Sequence, residues 1–150
     1  MTKKMEMNGM THMTDAERKI LPNVKNNPTR VAQMLAPSEE FLRAAVCINP
    51  FIIRFVHNQS FAVRMRAVCQ NGLALEYVNG HTPEIEMAAV RQNGMAIKFI
   101  TNPSREMQIA ALKQNMKSYA FIKNPHVDAS AMFYEHSKNV VYAPGYGLGR

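Results

Sequence analysis

Four alanines, Ala45, Ala67, Ala89 and Ala111, stand 22 residues apart, and their neighbours recur in the same order. Ala67-Val68-Cys69-Gln70-Asn71-Gly72-Leu73-Ala74 is followed one step later by Ala89-Val90-Arg91-Gln92-Asn93-Gly94-Met95-Ala96, and then by Ala111-Leu112-Lys113-Gln114-Asn115. A period this short restricts the chain to an array of one small supersecondary unit, too small to bury its apolar face alone. Residues 23–28 extend the series to the left and 132–143 extend it to the right with one residue deleted, making about six units.

Each unit carries its own start and stop signals. Ser38, Ser60, Thr82 and Ser104 are suited to cap a helix N-terminus. Glu39-Glu40, Pro83-Glu84 and Arg105-Glu106 supply first-turn residues. Apolar residues then fall on one stripe: Val63, Met65, Ala67 and Val68; Ile85, Met87, Ala88, Ala89 and Val90; Met107, Ile109, Ala110, Ala111 and Leu112. An Asn followed by Gly or Pro ends the helix (Asn27-Pro28, Asn49-Pro50, Asn71-Gly72, Asn93-Gly94), with Asn115-Met116 as the exception. Asn and Gly are expected there because they tolerate left-handed backbone. A short second helix follows, with apolar Ala74, Leu75, Tyr77 and Val78 in one copy and Ala96, Ile97, Phe99 and Ile100 in the next. The expected fold is all-α: an α-solenoid, or superhelix, of about six 22-residue two-helix repeats with degenerate capping repeats.

The pattern Ala-Val-x-Gln-Asn-Gly-x-Ala-Leu-x-Tyr followed by Asn-Pro-Ser-x-Glu resembles a family of short helical repeats, about 22 to 24 residues long. The family is frequent in proteins of bacteriophages, giant viruses and some bacteria and protists. The form is also similar to leucine-rich variant repeats. The match spans residues 20–143, is closest at 60–81 and 82–103, and loses its Gly at Met116. The resemblance implies fold and a viral setting. It transfers no site residues, because the family has no assigned activity.

Outside the repeats the signals change. Residues 1–13 hold five methionines without periodicity and read as a disordered leader, and 144–150 as a flexible Gly-rich tail, leaving 14–143 as the repeat domain. Thr14 and Glu17 have the form of a capping box. Pro22 and Lys19 at one end, and Tyr134 to Lys138 at the other, depart from the pattern as capping units should. No window approaches the roughly 18 apolar residues that a membrane span requires. With two cysteines and no signal peptide, the chain reads as soluble and cytoplasmic, in the host cytoplasm if it comes from a phage.

Little in the sequence resembles catalytic machinery. Equivalent positions in stacked helices lie about 8–10 Å apart, too far for Cys47 and Cys69, which share a column, to form a disulfide. Both are expected as semi-buried free thiols. His12, His57, His81, His126 and His136 have no metal-ligand spacing, although His126 and His136 could meet across the last unit. Glu39, Glu40, Glu84, Glu86 and Glu106 fit the helix dipole. Gly72 and Gly94 are expected as helix terminators, and Asn27, Asn49, Asn71, Asn93 and Asn115 as caps. No enzyme activity, cofactor or metal is expected.

What remains is binding. The formal charge is +7 at a pI near 9.7. By copy it is +3 over 16–37, 0 over 38–59, +1 over 60–81, 0 over 82–103, +3 over 104–125 and −1 over 126–147. A nucleic-acid groove prefers a continuous basic stripe, and the column Lys25, Cys47, Cys69, Arg91, Lys113 is interrupted in its centre. The aromatic column Phe55, Tyr77, Phe99, Phe121 is expected in the core. The first expectation is therefore a scaffold that binds a protein, such as a phage protein capturing a host protein on its concave face. Its outward columns are Arg54, Glu76 and Lys98 on the second helices, and Arg64, Glu86 and Gln108 with Arg91 and Lys113 on the first. The alternative is a polyanion binder using Arg64, Arg66, Arg91, Lys113, Lys117 and Lys123. Self-assembly through exposed unit edges is a third.

Overall fold

The structure is a computed structural model that describes residues 13–141. Among these residues every regular element is helical and none is a strand. The α-helices are α1 (Asp15–Ile20), α2 (Glu39–Ile48), α3 (Phe61–Gln70), α4 (Pro83–Gln92), α5 (Arg105–Gln114) and α6 (Val127–Val141). Between them run 3-10 helices: η1 (Leu21–Asn23), η2 (Pro28–Gln33), η3 (Pro50–Phe55), η4 (Gly72–Tyr77), η5 (Gly94–Phe99) and η6 (Met116–Phe121). The second helix of each central unit is thus a tight six-residue 3-10 segment, long for that geometry.

The caps explain where the α-helices begin. The hydroxyls of Ser38, Ser60, Thr82 and Ser104 accept from the amides of Phe41, Val63, Ile85 and Met107. At their ends the expected left-handed residue is absent. Asn49, Asn71, Asn93 and Asn115 have φ between −145° and −154°, which is extended backbone. Each caps twice instead. Its backbone amide closes the α-helix on an alanine carbonyl, and its Oδ1 accepts from the amide two residues on, at 3.0–3.1 Å, to open the 3-10 helix. Asn27 does not open η2 in this way; its Oδ1 accepts from Thr29 Oγ1.

The glycines also do something other than terminate a helix. A Cβ on Gly72 would lie 2.3 Å from the Ala89 carbonyl oxygen, and one on Gly94 would lie 2.4 Å from that of Ala111. Each glycine lets the 3-10 segment of one unit press against the α-helix of the next. The same contact is bonded: the amide of Gly72 donates to Gln92 Oε1, and that of Gly94 to Gln114 Oε1. Gln92 Nε2 also donates to the Gln70 carbonyl. Gln, Asn and Gly of the repeat therefore form a clamp between units. It is missing where Pro50 has no amide to give. It is missing also at Met116, where a further step of 22 finds Phe133 and His136 instead of Ala and Gln.

Each of α2 to α5 contacts the following α-helix, each of η2 to η5 the following 3-10 helix, and η3, η4 and η5 also touch the α-helices on both sides. The core is built of columns. Ala45, Ala67, Ala89 and Ala111 are fully buried, in one cluster with the likewise hidden Val46, Val68, Val90 and Leu112 and with Ile53, Leu75 and Ile97. Met65 and Met87, expected on the buried stripe, are only half-buried.

The two ends depart from the expectations. Met13, assigned to the leader, is 5% exposed and belongs to the core cluster. The rest of the leader, and the tail from 144, lie outside the described residues. The capping box forms, with the Thr14 amide 2.7 Å from Glu17 Oε2. Glu17 then reaches further, accepting from the Ser38 amide through Oε1 and the Ser38 hydroxyl through Oε2. It joins α1 to the start of α2. The helix passes into 3-10 geometry at Leu21, one residue before Pro22. At the other end α6 runs unbroken to Val141, so no second short helix follows Met132 among the described residues.

Candidate functional site

The column Arg64, Glu86, Gln108, expected to face outward, is turned to internal work. Gln108 is 4% exposed. Its Nε2 donates to the Pro103 and Asn124 carbonyls, and its Oε1 accepts from the His126 amide at 2.8 Å. Arg64 Nη1 donates to the Asn79 and Gly80 carbonyls, the latter at 2.7 Å. Glu86 Oε1 lies 3.6 Å from His81 Nδ1. Arg64 and Gln108 satisfy backbone polar groups of the connecting loops, and Glu86 meets a loop side chain. Gln59 does similar work, donating to the Ile53 and Tyr77 carbonyls and accepting from the Asn79 amide. Nothing in the sequence separated such a polar tie from a surface residue, since both read as a polar position that varies between copies.

The second-helix column does face outward. Arg54, Glu76 and Lys98 are exposed on η3, η4 and η5. Beside them the aromatics expected in the core are half-exposed: Phe55, Tyr77 and Phe99 are partly buried, and Phe121 is 41% exposed. A six-residue 3-10 helix has too little girth to hide a large ring at its last position. The cations cover the rings instead. The Arg54 guanidinium sits 4.7 Å from the Phe55 centroid and 5.7 Å from that of Tyr77, and Lys98 Nζ sits 4.7 Å from Phe99. Phe51 meets Tyr77 edge-on at 6.4 Å. The result is a strip of rings and cations that crosses consecutive units.

No family model, curated protein or solved structure matches the chain.

Arg66, Arg91, Lys113, Lys117 and Lys123 are all exposed. Arg91 and Lys113 meet at one cleft; Lys123 borders a smaller one formed by the loops at 100–103 and 121–124. Arg64, being tied to the 79–80 loop, is not available beside them. Cys47 and Cys69, expected semi-buried, are exposed free thiols, because their column lies off the packed face with Arg91 and Lys113. Among the described residues no three of His, Cys, Asp and Glu gather as a metal site would require. His126 Nδ1 lies 3.5 Å from Asp128. No helix among the described residues is long and apolar enough to cross a membrane.

Among the described residues, the carboxyls of Glu17 and Glu106 are held below the ordinary range. Burial raises that of Glu17, but hydrogen bonds from the Ser38 and Thr14 amides and the Ser38 hydroxyl outweigh it, so the group lies below its ordinary range. Glu106 is lowered by its own backbone amide and by the Ser104 hydroxyl, the arrangement of a helix start. Neither is poised near neutrality as an acid or base would be.

Proposed function

We propose that the units stack in single file as an α-solenoid, of the short phage-type repeat kind that the sequence resembles, and that the chain is a non-enzymatic scaffold that binds a protein. The observation that carries this reading is the strip of Arg54, Glu76 and Lys98 alongside half-exposed Phe55, Tyr77, Phe99 and Phe121. Aromatic residues and Arg are the anchors that protein interfaces favour, and here they are held on consecutive units. The mixed signs of the strip suit a partner with both charges, such as a host protein. The test compares the full chain with an Arg54→Glu/Lys98→Glu variant as immobilised bait in native host extract. The expected result is one protein retained by the parent, lost by the variant and resistant to nuclease. Equal retention by both would remove the strip from the reading.

A second reading is favoured by the same rings. Cations interleaved with aromatics make a platform for single-stranded nucleic acid, and exposed Lys117 and Lys123 flank Phe121 in sequence. A filter-binding titration with single-stranded oligonucleotide over a salt series separates the two. Binding that falls steeply with salt supports the polyanion reading, and no binding at low salt removes it.

A further inference from the structure

The outward sides of α4 and α5 repeat one order of chemistry. Along α4 come Glu84, Met87 and Arg91; along α5 come Glu106, Ile109 and Lys113. Steps of three and four put each trio on one side of its helix. The four charged residues are exposed and the two apolar ones half-buried. A cleft of about 580 Å³ opens here, bounded by Ile109, Ala110, Arg91, Lys113, Arg105 and Glu106.

Its charges are unequally satisfied. Arg105 Nε donates to the Asp128 carboxylate, and its Nη1 lies 3.9 Å from Glu106. Arg91 and Lys113 have no ion-pair partner among the described residues. Both stand in last helical turns, where the dipole favours a cation. The dipole does not account for an apolar floor between two unpaired cations. Equivalent positions on packed helices are about 8–10 Å apart, close to the ~10.5 Å that seven residues of an α-helix span.

We propose that this face binds an amphipathic helical segment of a partner protein, laid across α4 and α5 with apolar side chains on Met87, Ile109 and Ala110 and carboxylates against Arg91 and Lys113. The inference rests on the protein-binding reading but uses a different surface from the aromatic strip. Glu84 and Glu106 form the opposite edge of the face and would repel a phosphate backbone, so a peptide with one acidic edge fits better than nucleic acid.

The probe is a fluorescein-labelled peptide of about 18 residues, five helical turns, built from Leu, Ala and Glu with the Glu residues seven apart. Its controls are the same peptide with Lys for Glu, and labelled oligo-dT. Anisotropy is followed at about 0.1 M salt with the full chain, Arg91→Gln/Lys113→Gln, Arg91→Glu/Lys113→Glu and Arg54→Glu/Lys98→Glu. Circular dichroism checks each fold. The acidic peptide is expected to bind the parent, to lose about tenfold in affinity with the Gln pair and more with the Glu pair, and to be unaffected by the Arg54/Lys98 pair. Failure of the acidic peptide to bind, equal binding by the charge-reversed protein, or tighter binding of oligo-dT through Arg91 and Lys113 would each overturn the proposal. Loss with the Arg54/Lys98 pair alone would place the site on the strip, leaving the scaffold reading standing while this one fell.

Discussion

Gln108 shows how much one side chain can hold. It is buried and makes three bonds to backbone of two loops. Gln108→Ala would leave two carbonyls and an amide without their partner, and is expected to cost about 1–3 kcal/mol, read as a lower urea midpoint at unchanged slope. Ser118 is the opposite case. It stands in the column of Ile52, Ala74 and Ala96, fully buried, and its hydroxyl has no partner. Ser118→Ala is expected to stabilise by about 1 kcal/mol, measured as a rise in Tm. Glu17 adds a pH dependence. Because its folded carboxyl lies below the ordinary 4.5, its contribution is complete above that value and lost as pH falls through the folded pKa. The parent chain should therefore lose more stability between pH 6 and pH 3, roughly the carboxylate range, than Glu17→Gln. Equal losses in urea titrations at the two values would remove Glu17 from the acid sensitivity.

At the scale of elements, the α-helices are set by signals that residue spacing displays, and η3 to η6 by an Asn side-chain bond that it does not. Hydroxyl caps and apolar spacing mark α2 to α5 directly in the sequence, with starts at the predicted serines and threonine. The second helices were legible as helices but not as 3-10. The role of Gly72 was equally hidden. A terminator and a close-approach glycine look alike until the Ala89 carbonyl is seen 2.3 Å from the missing Cβ. Gly72→Ala forces the 3-10 segment off α4, and ~1–3 kcal/mol of destabilisation is expected, seen in chemical unfolding. An unchanged midpoint would mean that the units separate without cost. Gly80, at φ 65°, is the described glycine whose backbone itself favours glycine.

For the whole molecule, the proposed single-file stacking makes stability a sum over units and the contacts between neighbours. Removing residues 82–103 deletes one full period and brings Gln114 to the place of Gln92 above Gly72. That shortened chain is expected to stay helical with a lower Tm. Removal of 82–102 shifts every later column by one residue and should unfold it. Far-UV circular dichroism and thermal melts distinguish the two, and equal behaviour would refute the in-register stacking. The candidate surface was only partly legible. Arg54, Glu76, Lys98, Arg91 and Lys113 were placed outward from spacing alone, and they are exposed. The half-exposed rings beside them were not anticipated, because apolar spacing marks a residue as facing its neighbours without saying how much of it they cover. The period, the caps and the buried alanine columns follow from the order of residues, since each depends on partners a few positions or one repeat away. Which polar residues would be spent on holding loops, and which left for a partner, was decided only when the chain folded, because burial is a property of what packs on top.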